Sequence, residues 1–266
     1  MLRWLTERRR RRILATPFPT HWDWIIDTNV AIARRLDPER RARLRDLVQV
    51  FVAVKHWEGC GGMEVDDEVK VTIAAQACIL ILEREAELYR DVDSILVYPS
   101  SVKTSPRQPG FFEQPRVMAG QGAWIHGEAM LGGPVVLAWD QVLAGGREET
   151  SGNVVFHELA HKLDMASGSV NGTPPLPNKR ERKRWAEVCT EAYLKHRKDV
   201  EEGFPTLMDS YGATNEAEFF AVATETFFCR PAALAIEHPR VYAALADFYR
   251  IAPFDFASHE VMVQFS

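Results

Sequence analysis

Asn153-Val154-Val155-Phe156-His157-Glu158-Leu159-Ala160-His161-Lys162-Leu163-Asp164 is the stretch from which the rest of the chain is read outward. His157 and His161 stand four apart, so on a helix they share one face, their Cβ atoms about 5–6 Å from each other. Two imidazole nitrogens can then converge on one zinc ion at about 2.0–2.1 Å. Glu158, beside the first histidine, projects next to such a metal rather than onto it. There it can take a proton from the attacking water as general base. Val154, Val155, Phe156, Leu159 and Leu163 supply the apolar side chains that bury the helix and give the site a rigid seat. The rival reading is a helix with two unrelated histidines. The apolar helix, a strand begun by Pro just upstream and an acidic helix downstream count against it.

A hydrolytic zinc site takes three protein ligands and leaves a position open. A third histidine at 167 after Gly at 164 is excluded, because those residues are Ser167 and Asp164. His196 lies in a Lys/Arg-rich helix, residues 180–198, that reads as solvated. The better source is Tyr211-Gly212-Ala213-Thr214-Asn215-Glu216-Ala217-Glu218-Phe219-Phe220-Ala221-Val222. Thr214 reads as an N-cap, with Glu218 one turn inside a helix that Phe219, Phe220, Val222 and Ala223 mark as buried. A carboxylate in a buried helix needs a partner, and a metal is one. Glu216 and Glu225 remain candidates, though exposed acids are the plainer reading of both. At 3.6 residues per turn Glu216 and Glu218 point about 160° apart, so only one faces the histidines. If the helix is continuous, Tyr211 and Glu225, seven residues before and after Glu218, share its face. Glu218 then ligates, Glu225 supports and Glu216 caps or faces solvent. Asp164 reads either as a partner for a histidine Nδ1–H or as a surface acid at the helix end.

The chain has 266 residues, 46% hydrophobic and 26% charged, which excludes a disordered, collagenous or coiled-coil protein. No apolar stretch approaches the roughly 20 residues of a membrane span. An apolar signal core is missing at the start, so the expected location is cytoplasmic. Cys60, Cys78, Cys189 and Cys229 are too sparse for a disulfide framework or a thiolate zinc site. The net charge of −5 conceals six arginines, Arg3 and Arg8 to Arg12, in the first 14 residues. With Glu7 these give +5, leaving −10 for the remainder. So acidic a body is poorly suited to gripping phosphate backbones, and no direct nucleic-acid binding is expected. Residues 1–14 read as a solvated basic tail, 15–250 as one domain and 251–266 as a C-terminal tail.

Asp37-Pro38-Glu39 signals a helix start, continued by Leu44, Leu47, Val48, Phe51 and Val52 at helical spacing. Further helices are predicted over 66–90, 150–163, 179–198, 214–228 and 239–249. Ile95-Leu96-Val97-Tyr98 reads as a buried strand, and residues 100–110 as a loop. Short strands are predicted at 116–118 and 123–125. Pro134-Val135-Val136-Leu137-Ala138-Trp139 reads as a strand at a sheet edge, because proline cannot donate to a ladder. The class is α+β, predominantly helical, with a small mixed sheet against the active-site helix.

The segment from Tyr211 onward resembles the second active-site motif of the anthrax lethal factor metalloprotease domain. The third zinc ligand there is the Glu before a Phe-Phe pair, which falls on Glu218; a tyrosine that assists catalysis falls on Tyr211. More broadly, residues 37–250 resemble the bacterial Mlc titration factor family of zinc peptidases. Leu96-Val97-Tyr98-Pro99, Gly133 through Trp139, residues 154–164 and residues 211–228 carry that likeness. The resemblance implies a zincin-like fold and one Zn2+ per chain on His157, His161 and Glu218. It implies Glu158 and Tyr211 as catalytic groups and a peptide or protein substrate, with aminopeptidase and internal cleavage both open. It also implies a partner, the glucose-responsive repressor Mlc. A non-catalytic protein that sequesters this repressor is the alternative, and the presence of all five site residues favours real chemistry. The strand over 135–139 is the expected pairing edge for an extended substrate.

Overall fold

The structure is a computed structural model that describes residues 2–84, 89–100, 102–103, 124–125, 127–129, 133–147 and 152–253. The arginine run does not stand free as a tail. It belongs to helix α1 (Leu2–Leu14), which is followed by α2 (Thr20–Asn29) and docks on α3 (Pro38–Val54). Gln49 of α3 donates to the carbonyls of Ile13 and Thr16, at 3.3 and 2.8 Å, and so ties down the end of α1. Arg11 and Arg12 occupy the last turn, where positive charge complements the helix dipole.

Helix α3 starts where Asp37 predicts, its carboxylate accepting the Arg40 N–H at 2.8 Å. Helix α4 (Asp67–Ile79) is capped in the same way by Asp66 and is buried along nearly its whole length. The helix predicted over 66–90 therefore overshoots. Leu80, Ile81 and Leu82 remain in the core but form tight turns, so the apolar pattern records burial beyond the end of the helix.

Strands β1 (His56–Gly59), β2 (Ser94–Tyr98), β3 (Val102–Lys103), β4 (Trp124–Ile125), β5 (Gly127–Ala129) and β6 (Val135–Ala138) form two sheets. The larger has the order β1-β2-β6-β5, with β1, β2 and β6 parallel and β5 antiparallel to β6; β3 and β4 form a small pair. The edge placement read from Pro134 is thus corrected. Strand β6 is flanked on both sides, and its pairing begins at Val135, opposite Ile95 and Ala129. Proline precedes the first paired residue, so no ladder bond is lost. All four β6 residues are buried, as in a strand covered on both faces. The loop read over 100–110 contains β3, while the rest of it from 104 and the strand predicted at 116–118 lie outside the described residues.

Helix α5 (Trp139–Arg147) follows β6 without a break. Its Gly145-Gly146 pair argues against a helix, yet Gly146 is what lets it approach α2 and α4. A Cβ there would lie 2.4 Å from the Asn29 carbonyl oxygen. Beyond it run α6 (Val154–Met165), α7 (Lys179–Glu201), a 3-10 turn (Ser210–Ala213), α8 (Glu216–Cys229), α9 (Pro231–Glu237) and α10 (Pro239–Tyr249). One hydrophobic cluster joins residues from Trp22 to Ile251, and α6 lies inside it, against α4, α5, α8 and the sheet. Of the C-terminal tail read over 251–266, Ile251 is buried, and residues 254–266 lie outside the described residues. No single helix among the described residues is long and apolar enough to cross a membrane.

Candidate metal centre

Two asparagines set the helices that build the site. The Asn153 side chain accepts the Phe156 N–H at 3.0 Å and starts α6, while its amide donates to Gln76 Oε1 and the Gly145 carbonyl. On α8 the cap is Asn215, which accepts the Glu218 N–H at 3.0 Å; the cap read at Thr214 moves one residue on. Helices α6 and α8 pack along each other, which brings His157, His161 and Glu218 together. Glu218 Oε2 lies 3.0 Å from His157 Nε2 and 3.2 Å from His161 Nε2, and the two nitrogens are 3.2 Å apart. Four tetrahedral bonds of about 2.05 Å would separate ligand atoms by about 3.3 Å, so this triangle fits a zinc-sized ion. One carboxylate and two imidazoles are also the donor set of hydrolytic zinc sites.

Glu225 takes the supporting position anticipated for it. His157 donates from Nδ1 to Glu225 Oε1 at 2.6 Å, and Glu225 Oε2 accepts the Asn153 backbone N–H at 2.6 Å. One carboxylate thus orients the histidine and the helix start that carries it. In the metal-free chain burial works to lower the His157 pKa, but its bonds to Glu218 and Glu225 outweigh this and hold it up, at about 10. Glu218 shows the reverse: burial works to raise it, and the two histidines bring it down to about 2.

Glu158 is buried, and its Oε2 has no hydrogen-bond partner among the described residues. Burial, reinforced by the neighbouring carboxylates Glu218 and Glu225, raises its pKa to about 7 against the opposing pull of the histidines. Tyr211 is half exposed on the 3-10 turn rather than on α8, so the shared helical face inferred for it does not exist. The turn nonetheless brings its ring within 6.0 Å of the His157 ring. Burial and the Glu218 carboxylate raise its phenol to about 12 and keep it protonated.

Asp164 serves neither as the histidine partner nor as the surface acid it is read as. It is fully buried and accepts the Gly172 and Thr173 N–H groups at 2.7 and 2.9 Å, organising the loop after α6. His196, read as solvated, is buried and bonds the Asp209 carbonyl at 3.0 Å, which secures the turn that bears Tyr211. Glu216 is exposed. Lys162 escaped the sequence reading. Burial lowers its pKa, and its Nζ donates to the Gly133 carbonyl at 2.7 Å, fastening α6 to the approach of β6. A lysine between His161 and Leu163, in a helix buried along most of its length, is the signal that points to it.

The profile of the family described as glucose-regulated metallo-peptidase M90 matches residues 4–250. The chain belongs to this family. Membership makes it a metallopeptidase-type protein and implies a metal ion. An uncharacterized protein of Synechocystis is 36% identical over 255 residues, covering 94% of this chain and 90% of its own length. Mlc titration factor A of Salmonella agona is 28% identical over 238 residues, 87% of each chain. Its counterpart from Salmonella arizonae is 29% identical over 239 residues, 87% of this chain and 92% of its own.

Proposed function

We propose that this M90 family member is a cytoplasmic zinc peptidase. Residues 15–250 act as one catalytic unit, and His157, His161 and Glu218 hold a single Zn2+. The observation that carries the reading is the near-equilateral triangle of ligand atoms, with a Glu158 oxygen beside it that has no partner among the described residues. Bound there, zinc supplies Lewis acidity, which polarises a carbonyl and makes water a nucleophile near neutral pH. Glu158, buried beside the ligand triangle, accepts the proton of the attacking water and returns it to the leaving amine. Tyr211, protonated and close to His157, donates a hydrogen bond to the oxyanion. Glu225 holds the His157 ring in its ligating orientation. An extended substrate adds to the outer side of β5, which is unpaired among the described residues, because β6 has no free side.

The test is metal content and peptide-library cleavage for Glu218→Ala beside Glu216→Ala. Loss of both zinc and cleavage in the first, with wild-type behaviour in the second, is expected. The opposite pattern would transfer the ligand to Glu216. Libraries free and blocked at the N-terminus sort aminopeptidase from internal cleavage.

The name of the Salmonella relatives favours a second role, binding of an Mlc-type repressor. A Glu158→Gln protein that retains repressor binding while losing hydrolysis would show the two roles to be separable. Failure of the wild type to bind the repressor removes the second.

A further inference from the structure

None of the metal-centre residues lines a second, open cavity of about 490 Å³, bordered by α7, α10, the residues flanking them and Arg84. This is the size of a small-molecule site, for which roughly 300–1,000 Å³ is usual. Its wall carries Arg84, Arg180, Arg184 and Arg250 against only Glu181 and Asp247. Four guanidinium groups and two carboxylates give +2, in a body whose charge beyond residue 14 is −10. Arg184 pairs with Asp247 at 2.7 Å, but both side chains are more than half exposed and the pair is weak. Arg84 is braced over the Phe248 ring at 4.6 Å. Arg180 and Arg250 form no ion pair among the described residues.

Arg250 adds an observation of a different kind. It is the C-cap of α10 with φ +57°, and it alone among described non-glycine residues has positive φ. Glycine would occupy that position without strain. The chain instead bears the steric cost and sets a guanidinium at the cavity wall. Trp185 and Phe248 also line the cavity, both nearly fully buried. The Trp185 indole N–H is already committed to the Gly172 carbonyl at 2.9 Å, so the small part of this wall that reaches the cavity is apolar and offers no donor.

We propose that this cavity binds a phosphorylated small molecule. The phosphate is gripped by the arginine forks, and a compact carbon skeleton rests on the Trp185–Phe248 side. Calorimetric titration of the full-length, metal-loaded protein tests this with inorganic phosphate, a hexose 6-phosphate, the free hexose and citrate. The hexose phosphate should bind one to one in the micromolar to low-millimolar range, more weakly as salt rises, and more tightly than phosphate alone. Free hexose should give no binding. Combining Arg180→Ala with Arg250→Gly should weaken it by about tenfold or more, the loss of two charge-assisted contacts. Because Arg250→Gly relieves backbone strain, that variant should keep its melting temperature. Arg197→Ala, elsewhere on α7, should bind as wild type. No saturable binding of either phosphate, equal binding of free hexose, preference for citrate, or a double variant that binds as wild type would each overturn the assignment.

Discussion

Glu158 and Glu225 are carboxylates on neighbouring helices whose surroundings assign them opposite work. Glu225 spends both oxygens, one on His157 and one on the Asn153 N–H, whereas the buried Glu158 has no partner for Oε2 among the described residues. The first arrangement fixes a ring, and the second keeps a proton acceptor available. Glu158→Gln should therefore retain full metal content while turnover falls by about 10²–10⁴, the usual contribution of a general base. Turnover near wild type at full metal occupancy would remove Glu158 from that role. Glu225→Ala should lower metal affinity by about 10–100-fold in a chelator competition, the typical effect of losing a ligand's orienting partner. An unchanged affinity would mean that Glu225 merely caps α6. Much of this is legible in sequence, because a spacing of four on a helix and seven along another are geometric statements. Tyr211 is the instructive exception. Its distance from Glu218 along the chain suggests a helical face, yet Gly212 and the 3-10 turn bring it to His157 by another path. Turn geometry is not encoded in periodicity.

Among the elements, the loop after α6 links the two halves of the site. Asp164 accepts two of its backbone N–H groups, and Gly172 passes so close to the start of α8 that an added Cβ would meet the Glu216 carbonyl oxygen at 2.3 Å. Gly172 also has φ +71°, a conformation that disfavours any side chain. Gly172→Ala should cost about 2 kcal/mol or more in denaturant unfolding, through strain and overpacking together. It should also weaken metal binding by displacing the turn that carries Glu218. Wild-type stability would mean that α8 yields there freely. The helices that declare themselves in sequence, α3, α4 and α6, pair a capping Asp or Asn with an apolar stripe. Helix α5 does not, since its glycines serve close packing against Asn29 and Gln76, a partnership that no local pattern reveals. Pro134 misleads for a related reason: proline excludes a ladder bond, but only at a residue that would otherwise pair.

For the molecule as a whole, His157 and Glu218 without the proposed metal form a largely buried ion pair, and the pH response follows from its two members. The His157 pKa rises from 6.5 to about 10 on folding, so its contribution is complete below pH 6.5 and is lost as pH climbs through 10. That of Glu218 falls from 4.5 to about 2, so its contribution is complete above pH 4.5 and is lost as pH drops through 2. The metal-free chain should draw most stability from this single pair between pH 4.5 and 6.5. Metal binding requires the imidazoles deprotonated, so its stabilisation grows with pH instead. Melting temperatures with and without chelator should differ little at pH 5 and widely at pH 8; an equal gap at both would refute the linkage. Fold class was readable because the helices outnumber the strands and carry their own caps. Sheet order was not, because each parallel pairing joins residues that lie far apart in the chain.

The division of the site between α6 and α8 also bears on the birth of the protein. His157 and His161 leave the ribosome more than fifty residues ahead of Glu218, and α7 must be made in between. A nascent chain stopped short of α8 carries two imidazoles without their carboxylate and without the orienting Glu225. If His157, His161 and Glu218 hold the metal as proposed, the complete ligand set exists only once α6 and α8 have packed against each other.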